Sequence, residues 1–487
     1  MQSQNHFDLI VIGGGPAGVT AALRARELGA STALIERGRL GGTCTNDGCA
    51  PTRVLAKAAR LVRDSRQFER YGLEGSAPTV DFQKVLERTQ QVIYQLQEKK
   101  QLIAHLETVG VTTLHGVGPA RFVDPHTIQL MNGDTLIGDK FVICAGGVPR
   151  RLSFPGSEYA LTHSDVWSMK KLPASLIIVG SGATGCQLAS IFSAFGTQVT
   201  VLDVAPRMLI TEDESVAKTM QELFVTHGIN VITGIGSLQK IERDPHGLTL
   251  TYIEKEIERV LPAEAIMLAV GWPGNLPDLN LEAAGVAVNR NYIAVNDTLQ
   301  TSTPHIFAAG DITGRMMLVQ SAAYQAQVAV ENALSATGDL RDENRLIPHG
   351  GFTDPEYGSV GLTEAQAWAV HPITVATVPF VDLDRAVIDG YTNGFCKLIV
   401  HSESRLIVGA HIVGEQAVEI VQLIATAMAA EMPIEQLANL ELAYPTYAAV
   451  VGLAAREIVR ALGIVPISLE WRSLNPVRGA EWERKDE

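Results

Sequence analysis

Residues 8–36 read DLIVIGGGPAGVTAALRARELGASTALIE, and residues 175–203 read SLIIVGSGATGCQLASIFSAFGTQVTVLD. Each is an apolar run, a GxGxxG turn, a helix-like stretch closed by glycine, a second apolar run and a terminal acid. The copies register without a gap: Gly13, Gly15, Gly18 and Glu36 fall on Gly180, Gly182, Gly185 and Asp203. In such a unit the first glycine permits a tight turn, the second lets backbone approach a pyrophosphate, the third lets helix pack on strand, and the acid reaches a ribose hydroxyl. A lone GxGxxG is weak evidence. Two, each in full βαβ context, imply an α/β chain with two dinucleotide-binding modules.

The 487 residues suit two to four domains, and 46% hydrophobic with 19% charged residues is an ordinary globular composition. A net charge of −14 argues against nucleic acid or an anionic membrane surface as partner and favours small molecules. No apolar run is long enough for a bilayer, and MQSQNHFDLIVIGGG lacks a basic leader, so a soluble, cytoplasmic protein is expected. Five cysteines are too few for a structural disulfide framework there, and a persistent pair would be redox-active.

Such a pair stands in GGTCTNDGCAPTR, residues 41–53. On a regular helix Cys44 and Cys49 would lie about 7.5 Å apart along the axis and on separated faces, too far for a disulfide whose Cα atoms must lie within roughly 7 Å. The backbone must bend between them, and Asn46, Asp47 and Gly48 are residue types that permit it. Pro51, followed by Val54, Leu55, Ala58, Leu61 and Val62, reads as a helix beginning at once. Cys49 then sits beside a helix N-terminus, where the dipole and unpaired N–H groups favour thiolate.

Elsewhere, residues 82–107 read as one amphipathic helix with Val85, Val92, Leu96, Ile103 and Leu106 facing the core. Val109 to Cys144 reads as a small antiparallel meander. TSTPHIFAAGD reads as a buried strand ending at Asp311, followed by a helix from about Ser321 to Leu334. From about residue 346, strands and then helices suggest a separate α+β unit. The last residues, WRSLNPVRGAEWERKDE, read as a locally packed tail. Cys144, Cys186 and Cys396 read as buried small hydrophobes, His411 as a core histidine, and the histidines show no metal-ligand spacing.

GGGPAG with Glu36, GGTCTNDGCAPT, CAGGVPR at 144–150, GSGATG, AAGD at 308–311 and FTDPEYGSVGLTE at 352–364 together resemble the pyridine nucleotide-disulfide oxidoreductases, the group of glutathione reductase, dihydrolipoamide dehydrogenase and mercuric reductase. The resemblance covers roughly residues 6–463. It implies an FAD-binding domain at 1–155 and 276–345, an NAD(P)-binding domain at 156–275, a dimerisation domain at 346–465 and a tail at 466–487. It also implies a homodimer. By resemblance, Gly13, Gly15, Gly18, Glu36, Gly42, Thr43 and Asp311 hold FAD, and Gly180, Gly182, Gly185 and Asp203 hold NADH or NADPH. Cys49 is then the thiolate against the flavin and Cys44 the thiol that meets a small-molecule acceptor. Asp203 favours NADH, while Arg207 is the competing signal for a 2′-phosphate.

Three departures bear on the acceptor. The family's lysine after Pro-Thr and its partner glutamate are here Arg53 and Gln187, and its GRxPN pattern is replaced by Gly271, Trp272, Pro273, Gly274 and Asn275. The histidine and glutamate of thiol-handling members are Tyr444 and Ala449, and no histidine follows His411. A tyrosine near pKa 10 is a poor general base, so ordinary disulfide reduction should suffer. Mercuric reductases are similar in having tyrosine there, but they end in a cysteine pair that this tail lacks. The expected acceptor is a soft metal ion, a quinone-like oxidant or a specialised disulfide. The alternatives are a dihydrolipoamide dehydrogenase-like thiol–disulfide enzyme and a degenerate FAD-binding, redox-sensing dimer. Tyr444 is either a ligand or proton donor, or a filler at the interface.

Overall fold

The computed structural model describes residues 5–464 apart from 246, 336, 344 and 345. The expected tail lies outside the described residues. Two compact units emerge, the first comprising residues up to Thr211, Gln221–Ile347 and Phe352–Asp354, the second Glu212–Met220, Pro348–Gly351 and the chain from Pro355.

The first unit opens with β1 (His6–Ile12), α1 (Pro16–Glu27), β2 (Thr32–Glu36), the short α2 (Gly42–Asn46), α3 (Cys49–Ser65), α4 (Phe82–Lys100) and α5 (Leu102–Thr108). Next come β3 (Thr112–His115), β4 (Arg121–Asp124), β5 (Thr127–Gln129) and β6 (Thr135–Ile143). The sheet order is β3-β2-β1-β6-β5-β4. β3, β2, β1 and β6 run parallel, whereas β4, β5 and the start of β6 are antiparallel. The expected meander is thus smaller than the sequence suggested, because β3 joins the parallel edge beside β2 and β6 continues alongside β1.

Beyond it lie β7 (Leu161–Thr162), β8 (Ser175–Val179), α6 (Ala183–Ala194), β9 (Gln198–Asp203), α7 (Glu214–Thr226, of which residues 221–226 belong to this unit), β10 (Asn230–Thr233), β11 (Ser237–Asp244), β12 (Gly247–Glu254), β13 (Ile257–Ala263) and β14 (Ala265–Leu268). A second parallel sheet has the order β10-β9-β8-β14-β7. Leu176–Val179 and the whole of β14 are buried, as continuous apolar runs in a parallel sheet require. β15 (Val288–Asn289), β16 (Tyr292–Ile293), β17 (Ile306–Ala308) and α8 (Val319–Leu334) complete the unit, β17 adding to β6 in parallel.

The two GxGxxG turns are the same object built twice. Gly15 and Gly182 share φ −74° and ψ −174° as they lead into α1 and α6. A Cβ at Gly18 would fall 1.7 Å from the Gly13 carbonyl oxygen, and one at Gly185 would fall 1.9 Å from that of Gly180. Only glycine lets these helices close onto their strands.

The second unit contains β18 (His349–Gly351), β19 (Glu356–Gly361), α9 (Glu364–Val370), β20 (Ile373–Pro379), α10 (Asp384–Asp389), β21 (Phe395–His401), β22 (Ile407–Gly414), α11 (Ala417–Ala429), α12 (Ile434–Ala438) and α13 (Ala449–Leu462). Its antiparallel sheet, β18-β19-β22-β21-β20, is covered by α11 on β19 and β22 and by α13 on β20 and β21. Inside it Lys397 Nζ donates to Asp213 Oδ1 at 2.8 Å and to Glu364 Oε2 at 2.7 Å. His411 is buried beside them, bonded to Ser359 Oγ at 3.1 Å and the Leu362 carbonyl at 3.0 Å.

The single helix expected over 82–107 is two, broken at Gln101, whose φ of 46° no α-helix accommodates. Its buried stripe is also rotated: Phe82, Leu86, Thr89 and Ile93 face inward, and Val85, Val92 and Leu96 flank them. Both sets have helical spacing, and the inward stripe includes a threonine that hydropathy alone does not mark.

Candidate functional site

The cysteine loop is built from glycine and short polar residues. Gly41 enters it at φ 99°, α2 makes one turn, and Asp47 and Gly48 leave helical geometry before α3 begins at Cys49. The helix therefore starts two residues before the expected Pro51, with Cys49 in its first position. The Thr43 carbonyl closes the bend by accepting from Asp47 N at 2.9 Å and Gly48 N at 2.6 Å. Gly42 lies against the first GxGxxG fingerprint: a Cβ there would fall 2.7 Å from Gly15 Cα, and Gly41 N donates to Gly14 O at 2.8 Å.

Two sets of side chains pin this loop. From α4, Gln97 Nε2 donates to Leu40 O at 2.7 Å and Asn46 Oδ1 at 2.8 Å, and Lys100 Nζ donates to Thr45 Oγ1 at 2.9 Å. From the 3₁₀ turn His163–Ser168, Ser164 Oγ donates to Asp47 Oδ2 at 2.6 Å, and Trp167 Nε1 donates to Asp47 Oδ1 at 2.8 Å. His163 Nε2 lies 3.2 Å from Asp47 Oδ2. Burial opposes the charge on Asp47, but the hydrogen bonds from His163, Ser164 and Trp167 outweigh it and hold the carboxyl below its ordinary range.

Cys44 and Cys49 carry free thiols in hydrogen-bond contact with each other. That bond, donated by Cys44, brings Cys49 down to about 7 and pushes Cys44 above the ordinary thiol range, with burial adding to the rise. Backbone N–H at the start of α3 also favours the Cys49 thiolate. Asp311 acts electrostatically on both sulfurs, raising each, and is itself raised by burial. Cys144, Cys186 and Cys396 are fully enclosed and pushed up by burial.

At the first fingerprint, the Glu36 carboxylate accepts from Gly14 N and Gly38 N, both at 2.7 Å. An adjoining cavity is lined by Gly13, Glu36, Ala145, Asn275, Asp278 and Leu279. At the second, Asp203 accepts from Ser181 N and Oγ, both at 2.6 Å, and from Ala205 N at 2.8 Å. Arg207 donates to the carbonyls of Leu209 at 3.0 Å and Ile210 at 3.1 Å. Trp272 reaches Thr184 Oγ1 at 3.4 Å, at the start of α6, and its ring lies 4.5 Å from that of His163.

Arg53 and Gln187 meet at one residue. The Arg53 guanidinium stands 4.4 Å from the centroid of the Phe352 ring, and Phe352 N donates to Gln187 Oε1 at 3.3 Å. Tyr444 belongs to the second unit, where it is 77% exposed and donates its hydroxyl to Asp384. That hydrogen bond raises its pKa above the ordinary phenol value. Sequence reasoning missed Gln97, Lys100, His163, Ser164, Trp167 and Phe352, whose roles come from long-range placement. Among the described residues no group of three or more His, Cys, Asp or Glu is placed to hold a metal ion, and no helix is long and apolar enough to cross a membrane.

Residues 7–326 match the family model for pyridine nucleotide-disulphide oxidoreductases, and residues 347–455 match the model for that family's dimerisation domain. A dihydrolipoyl dehydrogenase of Bacillus subtilis is 31% identical over 472 residues, spanning 92% of this chain and 97% of the relative. A mercuric reductase of Staphylococcus aureus is 32% identical over 454 residues, spanning 92% and 82%. Among solved structures, the Cu(II) complex of the HOCl-induced flavoprotein disulfide reductase RclA from Escherichia coli superposes with a TM-score of 0.82 at 25% identity, covering 93% of this chain and 100% of that one.

Proposed function

The chain belongs to the pyridine nucleotide-disulphide oxidoreductases, and on that premise we propose that it carries electrons from NADH, through a flavin and the Cys44–Cys49 pair, to a soft metal ion. The observation that carries the proposal is the contact between the two thiols at the start of α3: Cys44 donates to Cys49, which lowers Cys49 to about 7 and raises Cys44 above the ordinary thiol range. One sulfur is thus prepared as the thiolate of an internal relay and the other as the thiol that meets the acceptor.

FAD, when bound, supplies the two-electron exchange between a nicotinamide hydride and a disulfide. Gly13, Gly15, Gly18, Glu36, Gly42, Thr43 and Asp311 are assigned to hold it. The fit is supported by the first-fingerprint cavity and by the Ser321 hydroxyl near the start of α8, which is buried without a hydrogen-bond partner among the described residues. Gly180, Gly182, Gly185 and Asp203 are assigned to the nicotinamide dinucleotide. NADH is the assigned donor because Asp203 can meet a ribose 2′-hydroxyl and repel a 2′-phosphate, while Arg207 is bonded to backbone carbonyls. Residues 1–155 with 276–345 form the flavin domain, 156–275 the nicotinamide domain and 346–465 the surface through which two copies pair. NADH as reductant favours a cytoplasmic location.

Cys44 and Cys49 in the dithiol form hold two electrons. They reduce two Cu(II) to two Cu(I), or one Hg(II) to Hg(0), as the sulfurs close to a disulfide and release two protons. Thiolates bind such ions directly and need no acid for a departing thiol. That suits a chain with Tyr444 and Ala449 in place of an acid–base pair, and the similar proteins named above include a mercuric reductase and a Cu(II) complex. Anaerobic turnover of the holoenzyme with NADH and Cu(II), with Cu(I) trapped by a chromogenic chelator, tests this. Two Cu(I) per NADH, lost in Cys44→Ser, is expected; faster turnover with oxidised glutathione or lipoamide refutes it.

A further inference from the structure

Asp47 sits between the two cysteines and is held harder than its place in a bend requires. Three side chains from one short segment converge on its carboxylate: Ser164 Oγ at 2.6 Å, Trp167 Nε1 at 2.8 Å and His163 Nε2 at 3.2 Å. Trp167 Nε1 also reaches the Asp47 carbonyl at 3.1 Å. His163 is only 5% exposed, and its ring lies 4.5 Å from that of Trp272.

The segment that supplies these donors is itself fixed. Thr162 and Asp165 form a reciprocal cap on the 3₁₀ turn, Thr162 N and Oγ1 donating to Asp165 Oδ2 at 2.7 Å and 2.9 Å. Arg151 Nη2 adds a third donor to the same oxygen at 3.1 Å. β7, immediately before the turn, is a strand of the second parallel sheet. The cysteine bend is therefore fastened to the nicotinamide-side sheet as well as to its own.

We propose that Asp47 and His163 are positioning residues for the redox pair, holding the bend so that the two sulfurs stay within reach in both oxidation states and thereby setting the stability of the Cys44–Cys49 disulfide. This rests on the reading of those cysteines as the redox pair and not on the identity of the acceptor. The equilibrium concerned is disulfide plus two electrons and two protons giving two thiols. A bend freed from Asp47 gives the dithiol more conformations, so ring closure loses effective concentration and the disulfide becomes easier to reduce.

The measurement is the thiol–disulfide equilibrium of the holoenzyme in glutathione redox buffers, quenched with acid and read by alkylation of free thiols. Asp47→Ala is expected to lower the equilibrium constant for disulfide formation about tenfold, which is about 30 mV less negative. Asp47→Asn, which keeps hydrogen-bonding atoms but loses the charge, should recover part of that shift. Should Asp47→Ala fail to fold, His163→Leu and Trp167→Phe each remove one side chain's hydrogen bonds to Asp47 and should each shift the equilibrium several-fold in the same direction. An unchanged equilibrium in folded Asp47→Ala, or in both single-contact variants, overturns the proposal. Failure of the unmodified protein to form this disulfide in any buffer would instead sink the redox-pair reading beneath it.

Discussion

The Arg53 guanidinium lies over the Phe352 ring, 4.4 Å from its centroid. A planar cation can stack on an aromatic face in a way that a lysine ammonium cannot reproduce. Gln187 accepts from the N–H of that same phenylalanine, so the two positions that depart from the family's lysine and glutamate are joined through a third residue. Arg53→Lys and Phe352→Leu are each expected to lower stability by about 0.5–1 kcal/mol, the range for an exposed cation–π contact. The double variant should cost less than the sum. Denaturant midpoints of the four proteins check this, and strict additivity would show that the stacking contributes nothing.

With Cys49 lowered to about 7, the two-electron-reduced protein should show long-wavelength thiolate-to-flavin absorption. The thiolate is the deprotonated form, so the band should be half-developed near pH 7, grow as pH rises and fade as pH falls. Cys49→Ser should abolish it, and Cys44→Ser should show it without reductant. Simple bleaching of the flavin in the unmodified protein would contradict the relay.

Oxidised glutathione and lipoamide should turn over at least about 10²-fold more slowly than in thiol-handling relatives, the contribution of one acid–base group. The Tyr444 hydroxyl already donates to Asp384, which raises its pKa and makes it a weaker proton donor still. Tyr444→Phe is accordingly expected to leave metal turnover within about twofold. Tyr444→His combined with Ala449→Glu should raise disulfide reduction. Steady-state assays of the three proteins with both acceptor classes decide the point.

NADH should reduce the flavin about tenfold faster than NADPH at equal subsaturating concentration, a difference of about 1.4 kcal/mol. Asp203→Asn should erase most of that margin, because the charge that repels a 2′-phosphate is gone. Equal half-reaction rates in the unmodified protein would reverse the assignment.

In the second unit, Lys397→Met should destabilise by about 3–5 kcal/mol, since it leaves the buried Asp213 carboxylate without its cation. Burial opposes the charge on Asp213, but hydrogen bonds from Lys397, Ser215 and the Glu364 N–H outweigh it and place its carboxyl far below the ordinary range. A depressed folded-state pKa stabilises above the unfolded value and is lost as pH falls through the folded one. Denaturant stability should therefore decline below about pH 4 in the unmodified protein and more weakly in Asp213→Asn. A pH-independent midpoint would count against the network.

The duplicated module was legible because glycine spacing and apolar runs are local, and Cys44 and Cys49 were legible because their spacing forbids a straight helix. The supports of the bend were not. Asp47 reads as a turn former, and nothing in its neighbourhood announces His163 or Trp167, which arrive from beyond β6. The inward stripe of α4 was displaced for a related reason: Thr89 is buried with its hydroxyl donating to the Val85 carbonyl, a pairing hydropathy does not register. Arg53 and Gln187 stood out as departures, but their meeting at Phe352 depends on a distant segment.

The close approach of Gly42 to Gly15 leaves no room for even a methyl group between the cysteine bend and the first GxGxxG turn. The two cannot loosen separately, since either one opening would strip the other of its wall. They should behave as one cooperative folding unit, exchanging amide hydrogens together. Damage by heat would then remove nucleotide retention and thiol chemistry in a single event, leaving no partly competent survivor.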